Sequence, residues 1–317
     1  MSSAPASTLA DGLAAVLGAT AISDLARLSG GASRETWRFV ADGRPLILQR
    51  QRSGDGRDMG IEASVLRAAG AAGMPVAQVI ASATGDDNPV GASFMVLTAV
   101  EGETIARKIL RDDEYAEARL RLPAQLGAAL AQLHAIPVDA APGLVEQDQI
   151  AYYRGVLDSL GRPHPTFELA FRWLEQHRPV SPRTAIVHGD FRLGNVIVGS
   201  DGLRAVLDWE LAHLGDPMED LGWLCVKAWR FGSRKPVAGV GEYRELFDAY
   251  EAAGGGPVDP EEARWWEVLG TLKWGIMCII QCNVHMSGFS RSHELAAIGR
   301  RVCENEHDLF LALEGRW

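Results

Sequence analysis

One stretch of the sequence limits what this chain can fold into more than any other. It reads His-Gly-Asp-Phe-Arg-Leu-Gly-Asn from His188 to Asn195, and an acidic Asp208 follows at the end of another apolar run. The apolar runs on either side are typical of short strands, two of them joined by the tight turn at 199–202. Such strands would bring Asp190, Asn195 and Asp208 to one point in space.

These three side chains are the ones that transfer of a phosphoryl group from a nucleotide requires. A carboxylate must orient the attacking hydroxyl and accept its proton, and oxygen ligands must hold Mg²⁺ across the phosphates. We assign Asp190 to the first role and both Asn195 and Asp208 to the second, so that ATP and Mg²⁺ are the expected cofactors. Glu210 shares the strand parity of Asp208 and is a candidate metal-facing or substrate-side group.

The composition excludes several classes of protein. The chain has 317 residues, of which 47% are hydrophobic and 23% charged, as in a globular protein with one large or two moderate domains. Its net charge of −10 disfavours a nucleic-acid partner, because phosphate neutralisation needs clustered Lys and Arg. No apolar run reaches the ~18 residues of a membrane span, and the first ten residues do not resemble a signal peptide. Because the four cysteines show no paired spacing, we expect a cytoplasmic protein without disulfides.

The spacing of apolar residues predicts an α+β chain. The expected strands are 23–28, 36–40, 46–50, 76–83, 93–99, 185–187, 195–198 and 203–207. The expected helices are a short one near 9–17 and longer ones at 58–72, 114–134, 149–160, 166–177, 216–230, 242–253, 260–285 and 291–313. After the short leading helix, five antiparallel strands and one helix would complete a small nucleotide-binding lobe from residue 1 to 100, followed by a mainly helical catalytic and substrate-binding lobe from 101 to 317.

Backbone groups at two places in the small lobe are candidates for nucleotide contacts. Gly30, Gly31 and Ser33 lie in a loop between the first two predicted strands, and such small residues let backbone N–H groups approach an anion. The alternative for this loop is a plain hairpin turn, since glycine is common in turns. Thr98 and Val100 lie where a hinge between the lobes would fall, and the backbone there could hydrogen-bond an adenine edge.

The third predicted strand lacks a residue that kinases normally have. In kinases this strand carries a lysine that contacts the α- and β-phosphates and is held by a glutamate of the next helix. Here the available residues are Gln49 and Arg50, and only one of them faces inward because side chains alternate across a strand. Arg50 would supply the charge, whereas Gln49 would supply only a hydrogen bond. Glu62, on the following helix, is the candidate for the glutamate.

Three motifs of the sequence resemble those of a known family. The stretches His188–Asn195, Leu207–Glu210 and Gly215–Leu221 are similar to the aminoglycoside phosphotransferase family, which includes choline kinase-like proteins. The closer likeness is to its branch related to the kinase domains of acyl-CoA dehydrogenase-like proteins. The resemblance spans nearly the whole chain. It implies a protein-kinase-like bilobal fold, ATP with Mg²⁺, and phosphorylation of a small-molecule hydroxyl.

The resemblance also implies roles for particular residues. These carry over to positions that match the family motifs: Glu62, Asp190, Asn195, Asp208 and Asp220. In the family, Asp220 would support the catalytic loop. The third strand departs from the wider family, because it has Gln49 and Arg50 where the family has a lysine.

The C-terminal helices indicate which acceptor to expect. No acidic residue stands between Glu267 and Glu294, whereas Trp274 and Met277 are available to line a pocket. A polycationic aminoglycoside would need carboxylates around it, because buried ammonium groups must be paired. An apolar hydroxylated acceptor such as a hydroxyacyl-CoA therefore fits better, and the basic run 227–235 could meet the CoA phosphates.

Two alternatives remain open from the sequence. The first is an antibiotic kinase of the aminoglycoside or macrolide type. The second is a catalytically silent nucleotide-binding protein, which the absent lysine favours and the intact set of Asp190, Asn195 and Asp208 disfavours.

Overall fold

The computed structural model describes residues 6–28, 34–52, 58–180 and 183–316. The N-terminal part is a five-stranded antiparallel sheet with the strand order β1-β2-β3-β5-β4. The strands are β1 (Ile22–Arg27), β2 (Arg34–Ala41), β3 (Arg44–Gln51), β4 (Val79–Ala83) and β5 (Phe94–Thr98). All five had been predicted, with ends that differ by a few residues.

One helix packs on each face of this sheet, α1 (Ala6–Leu17) on one side and α2 (Met59–Ala71) on the other. The side chains of β3 alternate between the two faces, as a pleated strand requires. Leu48 is buried in the cluster that contains α1, whereas Ile47 packs against the cluster that contains α2. The face next to α2 is therefore the one that looks toward the rest of the molecule.

The remainder of the chain is mainly helical. Its helices are α3 (Ala106–Arg111), α4 (Ala116–His134), α5 (Gln149–Leu160), α6 (Pro165–Gln176), α7 (Met218–Cys225), α8 (Tyr243–Ala252), α9 (Pro260–Met286), α10 (His293–Gly299) and α11 (Val302–Leu313). Two short ribbons lie among them, formed by β7 (Val196–Gly199) with β8 (Gly202–Val206) and by β6 (Ala185–Val187) with β9 (His213–Gly215). In the described part of the chain, no helix is long and apolar enough to cross a bilayer.

The segment between β5 and α3 joins the sheet to the helical part. Glu103 pairs with Val198 of β7 through two backbone hydrogen bonds of 2.9 and 3.0 Å. Gly102 has φ +149°, and a Cβ there would lie only 2.5 Å from the Ile197 side chain, so the close approach requires glycine. We propose that the boundary between the lobes lies here, near residue 100.

Two predicted helices are wrong in extent. The predicted helix 216–230 ends at Cys225, because Val226 is extended (φ −53°, ψ 134°) and buries its side chain beside Trp223. The predicted helix 291–313 is two helices, α10 and α11. They separate after Gly299, where a Cβ would come within 2.5 Å of the Cys282 side chain. Strand β9 and helix α3 had not been predicted, since each is too short to show a period in the sequence.

Candidate active site

The carboxylate of Asp190 is held by three donors. Asn195 Nδ2 donates to Asp190 Oδ2 at 2.6 Å and to its backbone oxygen at 3.0 Å. The indole Nε1 of Trp223 donates to Oδ1 at 2.8 Å, and Arg192 Nε donates to the same oxygen at 3.0 Å. Because the donors come from both the loop and α7, the carboxylate has one fixed orientation.

A buried carboxylate on α7 supports the backbone just before Asp190. Asp220 is fully buried, and its two oxygens accept hydrogen bonds from the amides of His188 at 2.7 Å and Gly189 at 2.9 Å. Burial by itself would raise the pKa of Asp220, but its hydrogen bond with His134 and the other donors lower it below the usual value. The expectation that Asp220 faces inward onto the catalytic loop is confirmed.

His188 shapes the same loop. Its Nδ1 accepts the backbone N–H of Asp190 at 3.1 Å, and its Nε2 lies 2.9 Å from the carbonyl of Leu207. Complete burial lowers the pKa of His188, so the ring is neutral, with its proton on the nitrogen that faces the carbonyl. His188 therefore links the loop of Asp190 to the segment after β8 that carries Asp208.

Asp208 lies close to two other carboxylates, those of Glu210 and Asp190. Its backbone has φ +63°, a left-handed conformation that Asp tolerates better than most residues. Burial, together with the charges of Glu210 and Asp190, raises its pKa from 3.8 to about 6, although the charge of Arg34 acts in the opposite direction. A nearby cation stabilises the ionised form of a carboxyl group whose pKa is raised in this way.

The donor set around Asp208 fits a magnesium ion. Because the amide nitrogen of Asn195 is used by Asp190, its Oδ1 is the atom that can ligate a metal. Among the described residues, no group of three or more His, Cys, Asp or Glu side chains forms a metal site. Two oxygen ligands from the protein, completed by phosphates and water, are what Mg²⁺ usually has at a nucleotide site.

Arg34 is a site residue that the sequence analysis missed. It lies at the start of β2 and is only 8% exposed. Its guanidinium group forms a two-pronged ion pair with Glu62, with Nη1 to Oε1 and Nη2 to Oε2 both at 2.7 Å. Nη2 also contacts Glu210 Oε2 at 3.2 Å. The buried Glu62 thus has a cationic partner, which comes from β2 rather than β3.

The question of Gln49 or Arg50 is also resolved. Gln49 Oε1 accepts a hydrogen bond from Arg34 at 3.2 Å, so Gln49 faces the side of the sheet where Glu62 lies. Arg50 lies on the opposite face, where its Nη1 is 3.6 Å from Glu35. The alternative in which Arg50 supplies the inward charge is wrong, because strand parity points it away from the site.

The proposed nucleotide contacts of the backbone can be located only in part. The amide of Thr98 donates to Gln78 and that of Ala99 to Pro45, at 3.0 and 3.2 Å. The next amide, that of Val100, is thus the donor that we propose for an adenine edge. The other three proposed positions lie outside the described residues: Gly30, Gly31 and Ser33.

An aromatic wall extends from Asp190 toward the C-terminal helices, formed by Trp223, Trp229 and Trp274. Ring centroids are 5.2 Å apart between the first two and 4.8 Å apart between the last two. Met277 packs against the same cluster. The guanidinium of Arg192 lies 4.8 Å from the ring centre of Trp229. The proposed substrate residues Trp274 and Met277 are therefore connected, through Trp229 and Trp223, to the carboxylate of Asp190.

The basic run expected to meet CoA phosphates is largely used within the protein. Lys227 pairs with Asp308, and Arg230 is buried against Glu267. Lys235 donates to a backbone carbonyl at 2.9 Å. The structure does not favour this run as an anion site.

A buried lysine on α9 is a second residue that the sequence analysis missed. Lys273 is 4% exposed, and its Nζ donates to the carbonyl of Gly189 at 2.8 Å and lies 3.3 Å from Glu219. Glu219 in turn bonds His213 at 3.0 Å. Glu219 therefore belongs to a buried network behind the catalytic loop.

Comparisons with known proteins agree with this geometry. A model described as the phosphotransferase enzyme family (APH) matches residues 24–266. Acyl-CoA dehydrogenase family member 10 of Mus musculus is 27% identical over 232 residues, which are 68% of this chain and 21% of that protein. The match thus covers about a fifth of the length of that curated relative.

Solved structures share the fold over nearly the whole chain. A putative aminoglycoside phosphotransferase from Ralstonia eutropha superposes with a TM-score of 0.77 at 20% identity and covers 98% of both chains. The aminoglycoside phosphotransferase APH(4)-Ia, solved with AMP-PNP and hygromycin B, has a TM-score of 0.63 at 18% identity and covers 95% of this chain and 98% of its own. The predicted kinase-like bilobal fold is confirmed.

Proposed function

Because the chain belongs to the phosphotransferase enzyme family, we propose that it transfers the γ-phosphoryl group of ATP to a hydroxyl group of a small molecule. The predicted enzyme class, a phosphotransferase, is confirmed by the family match. The observation that carries the proposal is the position of the Asp190 carboxylate. Asn195 fixes this carboxylate by a hydrogen bond, and it lies close enough to Asp208 for the two carboxylate charges to interact.

In the proposed reaction Asp190 is the base. The acceptor hydroxyl oxygen bonds to the γ-phosphorus, the bond from phosphorus to the bridging oxygen of ADP breaks, and the hydroxyl proton passes to Asp190. Within the described chain, Asp190 Oδ2 accepts the bond from Asn195, whereas Oδ1 accepts two others. Oδ2 therefore has a lone pair left to receive the proton.

Asn195 and Asp208 are the residues that we propose to hold Mg²⁺. When bound, the ion would neutralise charge on the phosphates. Support for ATP as the donor comes from the structural relative that was solved with AMP-PNP. The Val100 amide at the hinge and the cation Arg34 beside Glu62 are consistent with a nucleotide between the lobes.

The test of this function is substitution of the base. Asp190→Asn keeps the size of the side chain but cannot accept the proton, so we expect kcat to fall about a hundred-fold or more. Binding of Mg·AMP-PNP, measured by calorimetry, should be unchanged. A turnover rate equal to that of the unaltered protein would remove Asp190 as the base, and a protein that binds nucleotide but phosphorylates nothing would support the catalytically silent alternative.

For the acceptor we propose an apolar hydroxylated molecule that is neutral or anionic, such as a hydroxyacyl-CoA. The aromatic wall offers apolar surface beside the base, and two arginines accompany it. Arg192 stacks on Trp229, and the guanidinium of Arg301 lies 5.9 Å from the ring centre of Trp274. Arg192 is paired with Asp190 and Arg301 with Glu304, so the choice of acceptor rests on the apolar surface of the wall. The name of the mouse relative, an acyl-CoA dehydrogenase family member, points the same way.

The second candidate is an antibiotic kinase, because the structural relative solved with AMP-PNP also holds hygromycin B. Release of ADP should be measured with 3-hydroxyacyl-CoA thioesters, macrolides, aminoglycosides and choline. We expect the highest kcat/KM with a hydroxyacyl-CoA, and a loss of about ten-fold or more when Trp274→Ala removes apolar contact. A preference for aminoglycosides, or a Trp274→Ala variant as active as the unaltered protein, would contradict this choice of acceptor.

A further inference from the structure

Arg34 connects the two lobes through a single guanidinium group. Glu62, on α2, contacts both terminal nitrogens of the group at 2.7 Å, whereas Glu210 contacts one of them, Nη2, at 3.2 Å. The side chains of Arg34 and Glu62 are 9% and 7% exposed, and that of Glu210 is 21% exposed. The contact with Glu210 is therefore the longer and more accessible of the two.

The position of Arg34 fits the task of the missing lysine. At the inward position where kinases have the lysine, strand β3 has Gln49, and that side chain accepts a hydrogen bond from Arg34. A guanidinium group has five N–H donors in a planar fork that matches carboxylate and phosphate oxygens. Glu62 fixes the orientation of this fork. Burial alone would lower the pKa of Arg34, but its hydrogen bond with Glu62 and the charges of Glu62, Glu210 and Asp208, the proposed metal ligand, raise it.

An ion pair with Glu210 satisfies Arg34 when no phosphate is bound. A nucleotide phosphate carries more charge than a carboxylate and offers several oxygens to the same N–H groups. A metal at Asp208 would also attract Glu210, which stands two residues further along the chain. Exchange of partners thus leaves neither Arg34 nor Glu210 as an unpaired buried charge, a state that would be costly.

We propose that Arg34 is the phosphate-binding cation of this chain, and that it releases Glu210 to bind phosphate oxygens while it keeps Glu62. This inference rests on the proposed function, since it requires a nucleotide in the cleft. It assigns to β2 the role that kinases give to a lysine of the next strand. It also removes the feature that favoured a catalytically silent protein.

The experiment measures nucleotide affinity by calorimetry on the full chain. Arg34→Gln should weaken binding of Mg·AMP-PNP and Mg·ADP about ten-fold or more, because a charge-assisted contact to phosphate is lost. Affinity for adenosine, which has no phosphate, should be unchanged. Arg38→Gln is the matched control, since Arg38 is an exposed arginine of the same strand, and it should bind all three ligands as the unaltered protein does.

A second variant returns the charge from the other strand. In Arg34→Gln/Gln49→Lys the cation stands on β3, on the side of Glu62, and we expect affinity for AMP-PNP to recover. Because Glu62 keeps a cationic neighbour, this variant decides the matter even if Arg34→Gln does not fold. The proposal is overturned if folded Arg34→Gln binds AMP-PNP normally, if it loses adenosine equally, or if the double variant folds without binding AMP-PNP. An unaltered protein that binds no nucleotide would refute the proposed function itself.

Discussion

Asp208 couples the chemistry of the candidate site to the stability of the fold. In the folded chain its pKa is raised from 3.8 to about 6, chiefly by burial. The folded state therefore holds a proton more tightly than the unfolded state. The associated stability is fully present below pH 3.8 and is lost as the pH rises through about 6, so that above this range the ionised carboxylate costs up to about 3 kcal/mol.

Asp208→Asn should therefore stabilise the metal-free protein at neutral pH. Asn keeps the shape of the side chain, tolerates the left-handed backbone and carries no charge. We expect the free energy of unfolding in urea to rise by about 2 kcal/mol at pH 7.5 and to change little at pH 4. An equal effect at both pH values would show that the ionisation of Asp208 is not the cause.

Among the secondary-structure elements, α9 has an unexpected part in the candidate site. Lys273 places a charged nitrogen against the carbonyl of Gly189, directly before the base. The ammonium group also lies 4.5 Å from the ring centre of Trp223, whose indole donates to Asp190. A residue of α9 thus contacts both the loop and the side chain that orient Asp190, the proposed base. We regard Lys273 as a positioning residue.

Lys273→Met should separate positioning from folding. Met has similar length and no charge, so Gly189 and Glu219 lose a donor, and the fold should lose about 3 kcal/mol. We expect kcat to fall while KM for ATP stays nearly constant, because the lysine does not face the nucleotide. In Lys273→Met/Glu219→Gln the buried carboxylate, which Lys273→Met leaves with His213 as its partner, becomes a neutral amide, and stability should partly return without kcat. Joint recovery of stability and kcat would mean that the lysine has only a structural role.

For the molecule as a whole, the fold and the proximity of the candidate residues could be predicted because their signals are local. Asp190 and Asn195 lie in the short segment between β6 and β7, and Asp208 lies just after β8, so sequence distance is a fair guide to spatial distance. The inward position of Arg34 could also have been predicted from the sequence. The tight turn after Ala41 pairs it with Arg44, and this register places Thr36 opposite Gln49, with Arg34 on the same face.

Other features depend on tertiary packing and leave no trace in a sequence pattern. Lys273 stands 84 residues from the carbonyl that it contacts, and its depth is set by how α9 packs on α7. The break between α10 and α11 depends on the close approach of Gly299 to α9. Periodicity shows which face of a helix is apolar, but it does not show which neighbour that face meets.

Helix α7 has a consequence for how such an enzyme can change over generations. Every residue from Met218 to Cys225 is buried, and this helix supplies both Asp220 and Trp223 to the base loop. A substitution in α7 disturbs both the packing of the core and the residues that hold the catalytic loop. We therefore expect few substitutions in α7 to be tolerated. The outer end of the aromatic wall, at the partly exposed Trp274 and Met277, does not combine these two roles. New acceptors can therefore be acquired at that end while the phosphoryl-transfer machinery is inherited unchanged.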